Sequence, residues 1–121
     1  MILLDTNILI EILKGDQATV EKVQNLTHKT AISSISVMEL YYGALNKAEL
    51  LKLEQFVSLF EIVHLNEAIS TQAVKLVKTY AKSHRLDIPD SIIVSTALVH
   101  RCPLFTYNLK DFRYIQDLKL L

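Results

Sequence analysis

Met1-Ile2-Leu3-Leu4-Asp5-Thr6-Asn7-Ile8-Leu9-Ile10-Glu11-Ile12-Leu13-Lys14-Gly15 opens the chain, and the fold turns on how it is read. Ile2 to Leu4 is a short, unbroken apolar run that predicts a buried strand. Asp5 ends that run. Thr6 to Lys14 then carries Ile8, Leu9, Ile10, Ile12 and Leu13 until Gly15, which predicts a helix stopped at a glycine.

The same alternation continues along the chain. Asp16 to Leu26 places Val20, Val23 and Leu26 at helical spacing, and Thr30 to Ser33 reads as a second strand. Ser36–Leu45 and Ala48–Phe60 read as helices, and the β-branched Ile62-Val63-His64-Leu65 as a third strand. Asn66 caps a long helix to about Arg85, with Ile69, Ala73, Val74, Val77 and Ala81 in one stripe. Asp87-Ile88-Pro89-Asp90 begins a buried helix, Ser91–His100, and Leu104–Thr106 gives a fourth strand. A polar segment, Asn108–Arg113, leads to a last apolar piece ending at Leu121. Two glycines and two prolines leave room only for short connections. Strands alternating with helices predict an α/β fold, a mostly parallel sheet of four or five short strands with helices on both faces.

The chain has 121 residues, half of them apolar and 21% charged, which fits one globular domain over 1–121. Thirteen basic residues balance thirteen acidic ones and exclude a polybasic arm or a duplex-coating protein. The single cysteine, Cys102, excludes an intramolecular disulfide and a multi-cysteine zinc site. It favours a reducing, cytoplasmic location. The opening run meets Asp5 before a signal peptide can develop, and no apolar stretch approaches the ~18 residues of a membrane span.

Four acids stand near the starts of elements at what the alternation makes one edge of the sheet: Asp5, Glu39, Asp90 and Asp111. Each has a plainer reading. Asp5 is placed to cap the first helix, Ser36-x-x-Glu39 matches a capping box, Asp87-x-x-Asp90 imitates one, and Asp111 fits a solvated turn. Capping explains each acid singly but does not predict that four should converge. Converging carboxylates without histidine or thiol form an all-oxygen site suited to Mg²⁺ or Mn²⁺ rather than zinc. Such ions activate water and stabilise the leaving oxygen of a phosphodiester.

Met1-Ile2-Leu3-Leu4-Asp5-Thr6-Asn7, Ser36-Val37-Met38-Glu39-Leu40-Tyr41-Tyr42-Gly43, Ile88-Pro89-Asp90-Ser91-Ile92-Ile93-Val94-Ser95-Thr96-Ala97 and Thr106-Tyr107-Asn108-Leu109-Lys110-Asp111-Phe112 resemble, in order and spacing, the four motifs of PIN-domain ribonucleases. The similarity is nearest to the VapC-type toxins of bacterial toxin–antitoxin pairs. It implies a PIN-like three-layer α/β/α fold and a metal-dependent endoribonuclease that slows growth. A cognate, VapB-like antitoxin would insert a peptide across the active site. Carried over by position, Asp5, Glu39 and Asp90 would hold Mg²⁺ or Mn²⁺, with Asp111 as a fourth acid. Thr6 and Thr106 would orient the carboxylates, and Asn7 and Asn108 would line the same edge. Some PIN domains have aspartate where this chain has Asn108, which leaves the fourth charge to Asp111 and implies one metal at rest, completed by the RNA phosphate.

Other residues have blander readings. His28, His64, His84 and His100 lack metal-pair spacing and read as surface groups, and Cys102 as a packed thiol. Tyr41 and Tyr42 fit either the core or a partner surface. Lys14, Lys110 and Arg113 read as solvated, with tracking of an RNA backbone as the functional alternative. The apolar stripes of the 48–60 and 66–85 helices exceed what one small sheet needs and predict a homodimer face. A different class of reading is a non-catalytic PIN-like module that binds RNA or a partner protein. A receiver-like phosphotransfer domain built on Asp5 would lack the acidic pair before the acceptor and a suitably placed lysine.

Overall fold

Alternate residues of the strands project to opposite sides of the sheet, and this sorts the core into two halves. The structure, a computed structural model, describes residues 1–121. Its strands β1 (Ile2–Leu4), β2 (Thr30–Ser33), β3 (Glu61–Val63) and β4 (Leu104–Phe105) stand in the order β3-β2-β1-β4, every pair parallel. Leu3, Ala31 and Leu104 join the buried cluster on one face; Ile2, Leu4, Ile32 and Phe105 join the cluster on the other.

Helices α5 (Glu67–His84), α6 (Ile88–His100) and the short α7 (Leu109–Phe112) cover the first face through Leu76, Ile93, Val94, Ala97 and Phe112. Helices α1 (Thr6–Leu13), α3 (Ser34–Tyr42) and α4 (Lys47–Val57) cover the second through Ile8, Leu9, Leu40, Leu53 and Val57. Helix α2 (Gln17–Gln24) packs beside α1. The result is the three-layer α/β/α arrangement that the alternation predicts. The sheet has four strands. The last apolar piece adds only one parallel bridge, Leu120 to Leu104, rather than a fifth strand.

Side-chain caps set most helix starts. Asp16, Asn46, Asn66 and Asp87 each accept the backbone N–H three residues on. The capping box at Ser36 does not form. Ser33 caps α3 instead, accepting from Ile35 N–H, so β2 passes into the helix without a loop. Ser36 is thereby buried inside the first turns, free to meet another side chain. Between α5 and α6 an apolar groove of about 500 Å³ is lined by Leu65, Ile69, Val74, Val77, Ile88 and Ile92. No helix is long and apolar enough to cross a membrane.

Candidate active site

A parallel sheet collects its functional groups outside the carboxyl ends of the strands, and β1 and β4 lie side by side there. Asp5 directly follows β1 and its backbone N–H donates to Phe105 O at 2.9 Å, while β4 leads into Thr106. The buried Thr106 hydroxyl donates to Asp5 Oδ2 at 2.7 Å, while Thr6 N–H donates to Oδ1 at 2.8 Å. Asp5 therefore caps α1 and faces the site as well; the capping and functional readings describe one geometry. Burial pushes its pKa above the ordinary carboxylate value, and the charge of Asp87 adds to this. The Thr106 and Thr6 hydrogen bonds oppose the rise.

Thr106 is the hub of this edge. Its oxygen accepts Asn108 N–H at 2.9 Å and Asn7 Nδ2 at 3.4 Å, while Asn7 Oδ1 accepts Tyr107 N–H at 3.3 Å. Across the site, Thr6 Oγ1 lies 2.8 Å from both Glu39 Oε1 and Ser36 Oγ. An ionised carboxylate can only accept, so the Thr6 proton points at Glu39 and the Ser36 hydroxyl completes the chain. Glu39 is exposed on α3, yet its carboxyl stands against Thr6. Desolvation there raises its pKa, assisted by Asp5 and Asp87.

Asp90 lies one turn into α6 and is half-buried; its backbone N–H donates to the cap, Asp87, at 2.9 Å. Its carboxyl accepts no protein hydrogen bond. Desolvation first, then the charges of Asp87, Asp5, Glu39 and Asp111, push its pKa up to about 7. Asp111 stands exposed in the first turn of α7 and is the weakest of these four neighbours. Asn108 precedes it as a cap position whose side chain makes no cap bond.

The four acids singled out in the sequence thus share one field, and the structure adds two residues. Asp87 acts on Asp5, Glu39 and Asp90, and Ser36 braces Thr6. Asp87 was legible only as a helix cap. Its second role follows from the cap lying three residues before Asp90, on the same side of the helix start. No three His, Cys, Asp or Glu side chains close into a group that could hold one ion between them. The donors are all oxygen, and their mutual repulsion is what a bound cation would relieve. Mg²⁺ commonly takes one or two carboxylates and keeps several waters, so the residues fit it without a closed protein cage.

The histidines take no part in this edge. His28, His64, His84 and His100 are exposed, and His84 stacks on Tyr114 at 3.9 Å between ring centroids. Cys102 is buried, which raises its pKa and leaves a packed thiol. Tyr41 is half-buried against the core, whereas Tyr42 is 95% exposed. Lys14 pairs with Glu11 at 3.5 Å along its own helix.

The PIN domain family matches residues 2–118. The tRNA(fMet)-specific endonuclease VapC of Shigella flexneri is 31% identical, over 97% of this chain and 93% of its own length. Ribonuclease VapC1 of Methanocaldococcus jannaschii is 32% identical, over 98% of this chain and 84% of its own length. Among solved structures, VapBC2 from Rickettsia felis, bound to a DNA fragment from its promoter, aligns with a TM-score of 0.85 and 30% identity. That alignment covers all of this chain and 98% of the other.

Proposed function

The chain belongs to the PIN domain family, and from that premise we propose that it is an endoribonuclease, the toxin of a toxin–antitoxin pair. The ribonuclease names of its relatives support the activity, and the toxin–antitoxin complexes among its structural neighbours support the pairing. One observation carries the assignment of the site. Asp5 is held by Thr106 and Thr6, and Glu39 by Thr6, in one field with an Asp90 whose pKa is raised to about 7 by burial first and then by the surrounding carboxylates.

Asp5, Glu39 and Asp90 would hold Mg²⁺ or Mn²⁺ between them, in part through the ion's own waters, with Asp111 at the rim. The ion, when bound, supplies charge neutralisation and an activated water for phosphodiester hydrolysis. The chain's own residues do the rest. Thr106 and Thr6 fix the direction of two carboxylates, and Asn7 and Asn108 hold Thr106 in place. Asp90 must be ionised to bind a cation, so cation binding competes with its proton. The anionic edge repels RNA until it is neutralised. A peptide from a cognate antitoxin would occupy this edge, and a second copy of the chain would cover the apolar groove between α5 and α6, which replaces α4 of the expected dimer face with α6.

The purified chain, free of antitoxin, is incubated with total RNA and with tRNA, including initiator tRNA, in Mg²⁺, in Mn²⁺ and in EDTA. Discrete cleavage that needs metal and falls at least about 100-fold in Asp90→Asn is the expected result, since loss of even an outer-shell partner costs about 10–100-fold. Intact RNA with folded, metal-binding protein would instead support the binding module without catalysis.

A further inference from the structure

We propose that the exposed ring of Tyr107, with the ammonium of Lys22 beside it, is a stacking site for a base of single-stranded RNA next to the carboxylate edge, an inference that rests on the nuclease reading above. Tyr107 follows Thr106, the residue that holds Asp5, and its backbone N–H is fixed by Asn7 Oδ1. The Tyr107 backbone is therefore fixed at the carboxylate edge, and its side chain runs from there to Thr19 of α2.

The ring is held at both ends. Thr19 is fully buried in α2 and gives its proton to Asp16 Oδ2 at 2.5 Å. The Tyr107 hydroxyl, 2.6 Å from Thr19 Oγ1, is then the donor in that contact. Phe105 meets the ring edge-on, with centroids 5.8 Å apart and planes at 78°. Tyrosines anchored in this way usually bury their apolar surface, yet Tyr107 remains 41% exposed. A rigid, tethered and open aromatic surface loses little rotamer freedom when it takes up a partner. Lys22 adds the complementary charge. Its Nζ sits over one face of the ring, 5.3 Å from the centroid, and pairs with no carboxylate, so the stacking face is the opposite one and the ammonium serves a backbone phosphate. An aromatic surface next to an unpaired cation is the chemistry by which proteins hold splayed bases of single-stranded RNA.

Binding is measured with a single-stranded RNA decamer carrying 2-aminopurine, in an Asp90→Asn background with Mg²⁺. The expected results are fluorescence quenching on binding and an affinity lowered about tenfold in Tyr107→Leu, with the quenching lost. Tyr107→Phe, which keeps the ring and loses only the tether, retains most of the affinity. Lys22→Gln lowers the slope of log K against log salt by about 0.7. Parent-like binding by Tyr107→Leu overturns the proposal, as does an equal loss in Tyr107→Phe, because the hydroxyl tether rather than the ring would then be at work. Cleavage by the unmutated chain is scored separately. Metal-dependent cleavage with no Tyr107 effect removes the stacking site and leaves the nuclease standing. A Tyr107 effect without cleavage removes the nuclease and leaves an RNA-binding surface.

Discussion

The two halves of the acidic edge are built in opposite ways. On the β1–β4 side, Asp5 receives two hydrogen bonds and Glu39 one, and the hydroxyls that supply them are themselves held by Ser36, Asn7 and the Asn108 backbone. On the α6–α7 side, Asp87 is engaged by the backbone of Asp90, but the carboxyls of Asp90 and Asp111 accept no bond from the chain. The first half is geometry and the second is charge. A hydrogen-bonded carboxylate keeps its direction whether or not a cation is near. An unbonded one that is partly desolvated among like charges, as Asp90 is, is raised toward neutrality and responds to whatever cation arrives. The difference suggests a division of labour, in which one side presents fixed ligands and the other supplies most of the electrostatic drive.

Thr106→Val is the sharpest way to break that comparison. It removes the proton given to Asp5 and the acceptor used by Asn7 and Asn108 N–H, with nearly unchanged volume. RNA cleavage should fall about 10–100-fold, the usual cost of losing an outer-shell orienting group. Stability should fall by about 1–3 kcal/mol, because buried Asp5 loses a donor and cannot reach bulk water instead. Steady-state cleavage kinetics and a urea melt read the two effects. Unchanged kinetics would mean that the hydrogen-bonded half is only a helix cap.

This division was partly visible in the sequence. The alternation of Ile2–Leu4, Thr30–Ala31–Ile32 and Leu104–Phe105 with helical stripes is local, so the parallel α/β fold was legible from composition and period alone. The acids were legible as a set because each follows a strand or begins a helix. Element boundaries were less so. The pattern places a helix at Ser36–Leu45, and Ser36-x-x-Glu39 matches a capping box, yet Ser33 takes the cap three residues earlier. Ser33 and Ser36 are both suitable caps, and the tertiary contact between Ser36 and Thr6, 30 residues apart, engages the second. Asp87 was hidden for a similar reason. Its capping role is local, but its effect on Asp5 and Glu39 depends on how α6 packs against the strand ends, which no local pattern encodes.

The charged half makes a prediction about pH. Asp90 has a native pKa of about 7 against an ordinary value of 3.8. Between about pH 4 and 7 the native chain therefore holds a proton that the unfolded chain has released, and stability falls as pH rises through that window. Above pH 7 the Asp90 contribution is constant. Asp5 and Glu39 are raised as well and act in the same direction. In EDTA, the melting temperature should be higher at pH 5.5 than at pH 8. Asp90→Asn should flatten most of that slope and raise the melting temperature at pH 8, while Mg²⁺ at pH 8 should stabilise the parent more than the variant. A melting temperature that climbs with pH, or a slope unchanged in Asp90→Asn, would remove the raised Asp90 pKa from the account.

Asp111→Asn should have the smallest effect of the three. Asp111 is exposed, accepts no hydrogen bond and is the weakest of the four charges acting on Asp90. An exposed charge is screened by solvent and salt, so its removal should change the cleavage rate by less than about tenfold. The Asp90 transition should move slightly down in pH, because one repelling neighbour is gone while desolvation and the other three acids remain. Parallel kcat/KM profiles for the parent, Asp111→Asn and Asp90→Asn from pH 5.5 to 8.5 make the test. A loss as deep as that of Asp90→Asn would place Asp111 among the direct metal ligands and extend the fixed-ligand role to α7. A small loss with a shifted profile would keep it as rim charge, which is the role its exposure and its missing partners support.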